Sequence, residues 1–263
     1  MKTETSSPSC VVVTFVFRDL NPKEAAFMKQ NATILRHHPF VVIHPKHYSV
    51  AGLIEQYPWL TEKEVEDKWM TSVETYNQMM LSPWFYEMFQ DYEYMLICQT
   101  DAYVFSDQVS LWCSRGYDYV GAPWLANDTF YERTLGTIVR SIMKRLLPMK
   151  NYHVHSDHIY HEVGNGGFCL RRIAKMIQLM RDNQHIIRQC TGKHEHMEDV
   201  LICIVLGRKE QIKRPHWKEA LLFSFEKAPR WCLDMTYGTL PFGCHDTNAR
   251  YWESFWKERI PVY

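Results

Sequence analysis

Four places in this sequence combine reactive residue types with a setting that would display them. Asp101 follows the apolar run YMLIC (94–98) and precedes AYVF (102–105), so it interrupts the strongest strand signal in the chain. In open α/β sheets ligands bind at the carboxyl ends of the strands, so a carboxylate there faces a crevice; the plainer reading is a turn or capping aspartate. Gly164-Asn165-Gly166-Gly167 precedes FCLRR. Glycine permits a close approach of backbone to ligand, although many such runs are simple turns. Glu198-Asp199 heads the apolar stretch VLICIVL. Acids are favoured at a helix start by the dipole alone, whereas the functional reading sets one carboxylate over the sheet edge as a general base. His245 ends the turn PFGCH (241–245), which displays the imidazole.

The elements that must position these groups read as alternating helices and buried strands, the pattern of a mostly parallel α/β sheet. CVVVTFVF (10–17) and FVVIH (40–44) are continuous and apolar, as strands covered on both faces are. The helix between them opens at Asn21-Pro22. An irregular stretch is expected to about residue 68, then a short strand around Trp69–Val73. A helix over 75–90 is divided at Pro83, and another covers 106–114. YDYVG (117–121) is a strand, and helices follow at 134–147, 173–185 and 197–206.

The chain has 263 residues, with 30 Lys plus Arg against 30 Asp plus Glu. That balance argues against an electrostatic nucleic-acid binder. No apolar run reaches the roughly 20 residues a membrane span needs, and the first strand is not a signal peptide. Eight scattered cysteines without a CxxC read as reduced, buried thiols, so the expected location is cytoplasmic. The sequons at Asn31 and Asn127 are expected to be chance matches.

TYNQMMLSPWFYEMFQDYEYMLICQTDAYVFSD (75–107), WCSRGYDYVGAPW (112–124), GNGGFCLRR, MEDV and LPFGCH resemble, in this order, the glycosyltransferases of the GT-A fold. They are more closely similar to a family of glycosyltransferase-like proteins classed as a domain of unknown function. The resemblance implies a GT-A-like (Rossmann-like) three-layer α/β sandwich, one domain over 1–263 with a variable insertion near 127–162. It implies a sugar transferred from a nucleotide-diphosphate sugar, UDP-sugar first, to a hydroxyl of a glycan, lipid-linked glycan or protein. Gln99-Thr100-Asp101 stands where the metal-using GT-A enzymes carry DxD, with Gln in place of the first acid. Asp101 and His245 would hold Mn²⁺ or Mg²⁺. Asn77, Gln99, Thr100, Asp101, Asn165, Gly166 and Gly167 would line the donor site, and Asp199, with Glu198 beside it on the sugar or acceptor, would be the base of an inverting transfer. Phe17, Arg18 and Lys46 join the nucleotide pocket by their positions at strand ends.

Three rival readings stand beside this one. Gln99 keeps open a sugar- or nucleotide-binding module without turnover. His153, His155, His158 and His161, with His194 and His196, suggest zinc but match no closed zinc pattern. The basic amphipathic helix 134–147 is expected to pack on the core or a second copy, with peripheral membrane contact as the rival.

Overall fold

The computed structural model describes residues 8–125, 135–147, 149, 152–191, 197–209, 212–245, 247 and 251–261. Its centre is a six-stranded sheet in the order β3-β2-β1-β4-β7-β6. β1 (Cys10–Phe15), β2 (Phe40–Pro45), β3 (Leu60–Val65) and β4 (Tyr94–Cys98) run parallel, and β7 (Phe168–Arg172) lies antiparallel between β4 and β6 (Tyr119–Gly121). Residues alternate across the pleat, so β1 sends Val11, Val13 and Phe15 into one apolar layer with Met79, Phe85 and Met176. Cys10 and Val12 enter the other, with Met28, Trp112 and Phe223. Helices cover both faces, which is why these strands read as unbroken apolar runs.

A second, small sheet in the order β5-β9-β8 joins β5 (Tyr103–Val104), β9 (Gly243–Cys244) and β8 (Ser224–Phe225). The run 94–105 is therefore two strands in two sheets, and Gln99-Thr100-Asp101 is the passage between them.

Several expectations change. The stretch before residue 68 holds a helix, Ala51–Gln56, and the edge strand β3. LTEKEV carries charged, exposed residues in its middle, a common way to guard a sheet edge, and so lacks an apolar strand signature. No strand forms at Trp69–Val73. Asp67–Met70 makes one 3₁₀ turn, and Ser72 starts the helix Val73–Met80 through a capping box with Thr75. Pro83 does divide the next region, beginning the helix Pro83–Glu87. The expected insertion lies partly outside the described residues. Its described portions include the helices Thr137–Leu146 and Ser156–Ile159, between β6 and β7 in sequence.

All eight cysteines are buried in the thiol form. Asn31 is also buried, its side-chain amide donating to the Ala102 carbonyl at 2.7 Å, so this sequon serves the fold. Asn127, His194 and His196 lie outside the described residues. His158 is buried with Nε2 2.8 Å from the Leu147 carbonyl oxygen, and His161 stacks between Tyr160 and Trp217, so both rings are engaged in packing. No helix among the described residues is long and apolar enough to cross a membrane.

Candidate active site

Two antiparallel registers assemble the site. β5 pairs with β9 as Tyr103 with Cys244 and Val104 with Gly243. Asp101, just before β5, and His245, just after β9, therefore emerge at the same end. His245 Nε2 lies 3.2 Å from Asp101 Oδ1, although 143 residues separate them in the chain. In the large sheet Cys98 pairs with Phe168, and the Gln99 amide donates to the Gly167 carbonyl at 2.9 Å. The double-glycine turn thus sits beside the end of β4.

Asn165 holds that turn. It takes a left-handed φ of 69°, its Oδ1 accepts the Gly167 amide at 2.8 Å, and its carbonyl accepts the Tyr119 hydroxyl at 2.7 Å. Its Nδ2 lies 3.3 Å from His245 Nδ1. The two glycines allow close approach on both flanks. A Cβ on Gly167 would stand 2.1 Å from His245 Nε2, and one on Gly166 would stand 2.2 Å from Glu198 Oε1. The Asp101–His245 pair and the acid pair therefore flank consecutive residues.

On the acid side, Glu198 is buried and its Oε1 accepts from Arg171 at 2.8 Å. Arg171, fully buried on β7, also donates to the Tyr86 hydroxyl at 2.7 Å. The second carboxylate oxygen, Glu198 Oε2, is buried with no hydrogen-bond partner among the described residues. Asp199 is half-buried and accepts the Val200 amide at 2.7 Å. Burial, then the charge of Glu198, pushes its pKa up to about 6, against the opposing pull of backbone amides and Arg171.

On the other flank Asp101 is half-exposed. Burial would raise its pKa, but the hydrogen bond and charge of His245, with a backbone amide and the charge of Lys23, together hold the carboxyl below its ordinary range. A carboxylate oxygen beside an imidazole nitrogen is a donor pair that a divalent cation can take, the carboxylate suiting Mg²⁺ or Mn²⁺ and the imidazole the softer first-row metals. Among the described residues no three His, Cys, Asp or Glu side chains gather as a metal group. A cation on Asp101 and His245 would thus complete its shell with ligand oxygens and water, as Mg²⁺ commonly does with phosphates.

A cleft of about 450 Å³ opens beside this centre, at the ends of β1 and β4. Five of the expected donor residues line it: Phe17, Arg18, Gln99, Thr100 and Asp101. Arg18 is held by a two-pronged pair with Glu24 at 2.7 and 2.8 Å, and the Gln99 side-chain amide donates to the Tyr76 hydroxyl at 3.0 Å. Asn77 stands instead at the start of the acid helix, where its Oδ1 accepts the Glu198 amide at 3.3 Å. Lys46 is ion-paired with Glu66 on the surface and does not line the cleft.

Sequence reasoning passed over Glu24, Tyr76 and Arg171. Glu24 had a signal, since Asn21 and Glu24 have capping-box spacing. Arg171 had only a weak one: it shares a strand face with Cys169, and nothing local says that this face is buried.

Residues 60–245 match the model of a family described as a protein of unknown function (DUF5672). No curated protein matches the sequence. Among solved structures, the apo form of mouse xyloside xylosyltransferase 1 is similar with a TM-score of 0.52 at 11% identity, over 90% of this chain and 96% of that one. The galactosyltransferase LgtC, solved with donor and acceptor sugar analogues, is similar with a TM-score of 0.55 at 13% identity, over 91% of this chain and 87% of that one. At such identities the likeness is one of fold, and that fold is GT-A.

Proposed function

We propose that this chain, which belongs to the DUF5672 family, is a glycosyltransferase that moves a sugar from a nucleotide-diphosphate sugar, UDP-sugar first, to a hydroxyl of a glycan, lipid-linked glycan or protein. One observation carries the reading: a carboxylate–imidazole pair and an acid pair flank the same double-glycine turn at the carboxyl edge of the sheet, beside a cleft of about 450 Å³.

The acceptor is activated by Asp199. With a pKa of about 6 it is mostly ionised at neutral pH, yet basic enough to take the proton of a hydroxyl attacking the anomeric carbon in line. Its neighbour Glu198 is buried on Arg171 and acts through its charge, which helps to raise the Asp199 pKa. Gly166 and Gly167 let the backbone come close to the sugar, and Phe17, Arg18, Gln99 and Thr100 receive the nucleotide. Asp101 and His245 would hold Mn²⁺ or Mg²⁺, which when bound supplies positive charge to the diphosphate leaving group.

The test is a thermal-shift and turnover screen of nucleotide-sugars with and without Mn²⁺. One donor should raise the melting temperature only with the cation, the shift should vanish in Asp101→Ala, and an acceptor should release the nucleotide. No response to any nucleotide under either condition would refute the proposal. Binding that yields no product with any acceptor would instead favour the non-catalytic module, the reading that Gln99 in place of an acid keeps alive.

A further inference from the structure

Two helices are anchored through polar side chains. Thr137–Leu146 meets the body by Arg140 on Asp157 at 2.9 Å and Lys144 on Glu162 at 2.5 Å, with Ile138, Val139 and Ile142 exposed, so the core packing expected of it does not occur. The other is the helix that carries the acid pair, and its anchor lies at the functional centre.

That helix begins at Glu198, and the residue before it is Met197, whose side chain makes no cap hydrogen bond. The first amides of a helix have no partner within it, and a serine, threonine, aspartate or asparagine normally accepts one of them locally. Here the acceptor comes from 121 residues earlier: Asn77 Oδ1 takes the Glu198 amide at 3.3 Å. Asn77 Nδ2 lies 3.7 Å from Met197 Sδ, so both polar atoms of this buried side chain face the same helix start. The backbone of Glu198 thus rests on Asn77 and its carboxylate on Arg171 at 2.8 Å, which holds the acid pair from two sides.

The helix that supplies Asn77, Val73–Met80, is also a wall of the cleft. Ser72, Val73 and Tyr76 line it, and the capping box of Ser72 with Thr75 fixes the helix start. Tyr76, which accepts from Gln99 at 3.0 Å, and Asn77 are consecutive, so one turn carries both a group facing the cleft and the group that holds the acid pair. The distance from cleft to acids is therefore set by a single element. A base must come within about 2.6–3.2 Å of the hydroxyl it deprotonates, and a misplacement of about 1 Å can cost about 100-fold in rate.

We propose that Asn77 is a positioning residue and not a donor contact: by accepting the Glu198 amide it fixes where Asp199 stands relative to the cleft. The role of Asp199 as base rests on the glycosyl-transfer reading; the placement of its carboxylate does not. Asp199 is faced by Glu198, Arg171 and the amides of Val200 and Gly166, so its titration reports that placement.

The test follows the Asp199 carboxyl carbon by NMR through a pH titration of the full chain, its signal assigned by loss in Asp199→Asn. Calorimetry of UDP with Mn²⁺ and turnover in the nucleotide-sugar screen accompany it. Asn77→Ala frees the helix start, so Asp199 becomes better hydrated and should titrate at lower pH than in the wild type. Its kcat should fall by up to about 100-fold, with UDP affinity unchanged. Asn77→Asp keeps an acceptor for the Glu198 amide, so it should hold the titration at or above the wild-type value and recover most of kcat above neutral pH. Should Asn77→Ala unfold, Asn77→Ser gives the same displacement in milder form. An Asp199 titration unmoved in these two variants would overturn the proposal, whatever their melting temperatures. Weakened UDP binding at unchanged kcat would also overturn it and return Asn77 to the donor site. Failure of the glycosyl-transfer reading looks different: wild-type protein neither binds UDP nor turns over any nucleotide-sugar, and the titration alone then decides for Asn77.

Discussion

Asp101 and Asp199 are the same side chain in opposed surroundings, on the two flanks of one glycine turn. Asp101 sits at a half-exposed sheet edge with an imidazole 3.2 Å away, and its carboxyl is held below the ordinary range. Asp199 lies beside a second carboxylate in a less hydrated place, and its pKa is pushed up to about 6. One group stays charged and suits a cation. The other is poised near neutrality and suits a moving proton. The chemical difference lies in what each carboxylate faces.

The largest expected effect is on the proton-moving side. Asp199→Asn should cut turnover by about 10²–10⁴-fold, the usual weight of a general base, while calorimetry finds nucleotide affinity unchanged. Wild-type turnover in that variant would remove Asp199 from the role. Next is the ground on which the acid pair stands. Arg171→Met leaves Glu198 buried without its cation and should cost about 3–5 kcal/mol in urea denaturation. Arg171→Met/Glu198→Leu should recover most of that, and no recovery would mean that the pair is not the coupled unit described.

The glycines sharpen the contrast further. Gly167→Ala collides with His245 and Gly166→Ala with Glu198, each a strain of roughly 1–3 kcal/mol. The first should weaken cation-dependent donor binding and spare the pH profile, and the second should do the reverse. Identical kinetic defects in the two variants would show that the flanks are not separable.

The smallest effect is a titration shift. kcat/KM should rise with pH through about 6 as Asp199 loses its proton. The charge of Glu198 raises that pKa, so Glu198→Gln should move the limb to lower pH. A limb that does not move would uncouple the two acids.

Much of the fold was legible in the sequence, because parallel strands covered on both faces are apolar at nearly every position, as β1, β2 and β4 are apart from Thr14 and His44. β3 was not legible, since this edge strand is charged where it meets water. The helix 134–147 was legible as an element, but not the side it turns to the body. Its amphipathicity is local, but which side meets the body depends on Asp157 and Glu162, which lie outside that helix.

For the site, the sequence by itself determined the local pieces: an aspartate at a strand end, a glycine turn, two acids at a helix start and a histidine after a turn. Each is set by short-range backbone rules. Only the tertiary structure decided that the pairing of β5 with β9 brings Asp101 to His245, and that Arg171 lies under Glu198. The reason is physical: strand register and the burial of a charge depend on partners far along the chain, and so does the environment that sets a carboxylate's pKa.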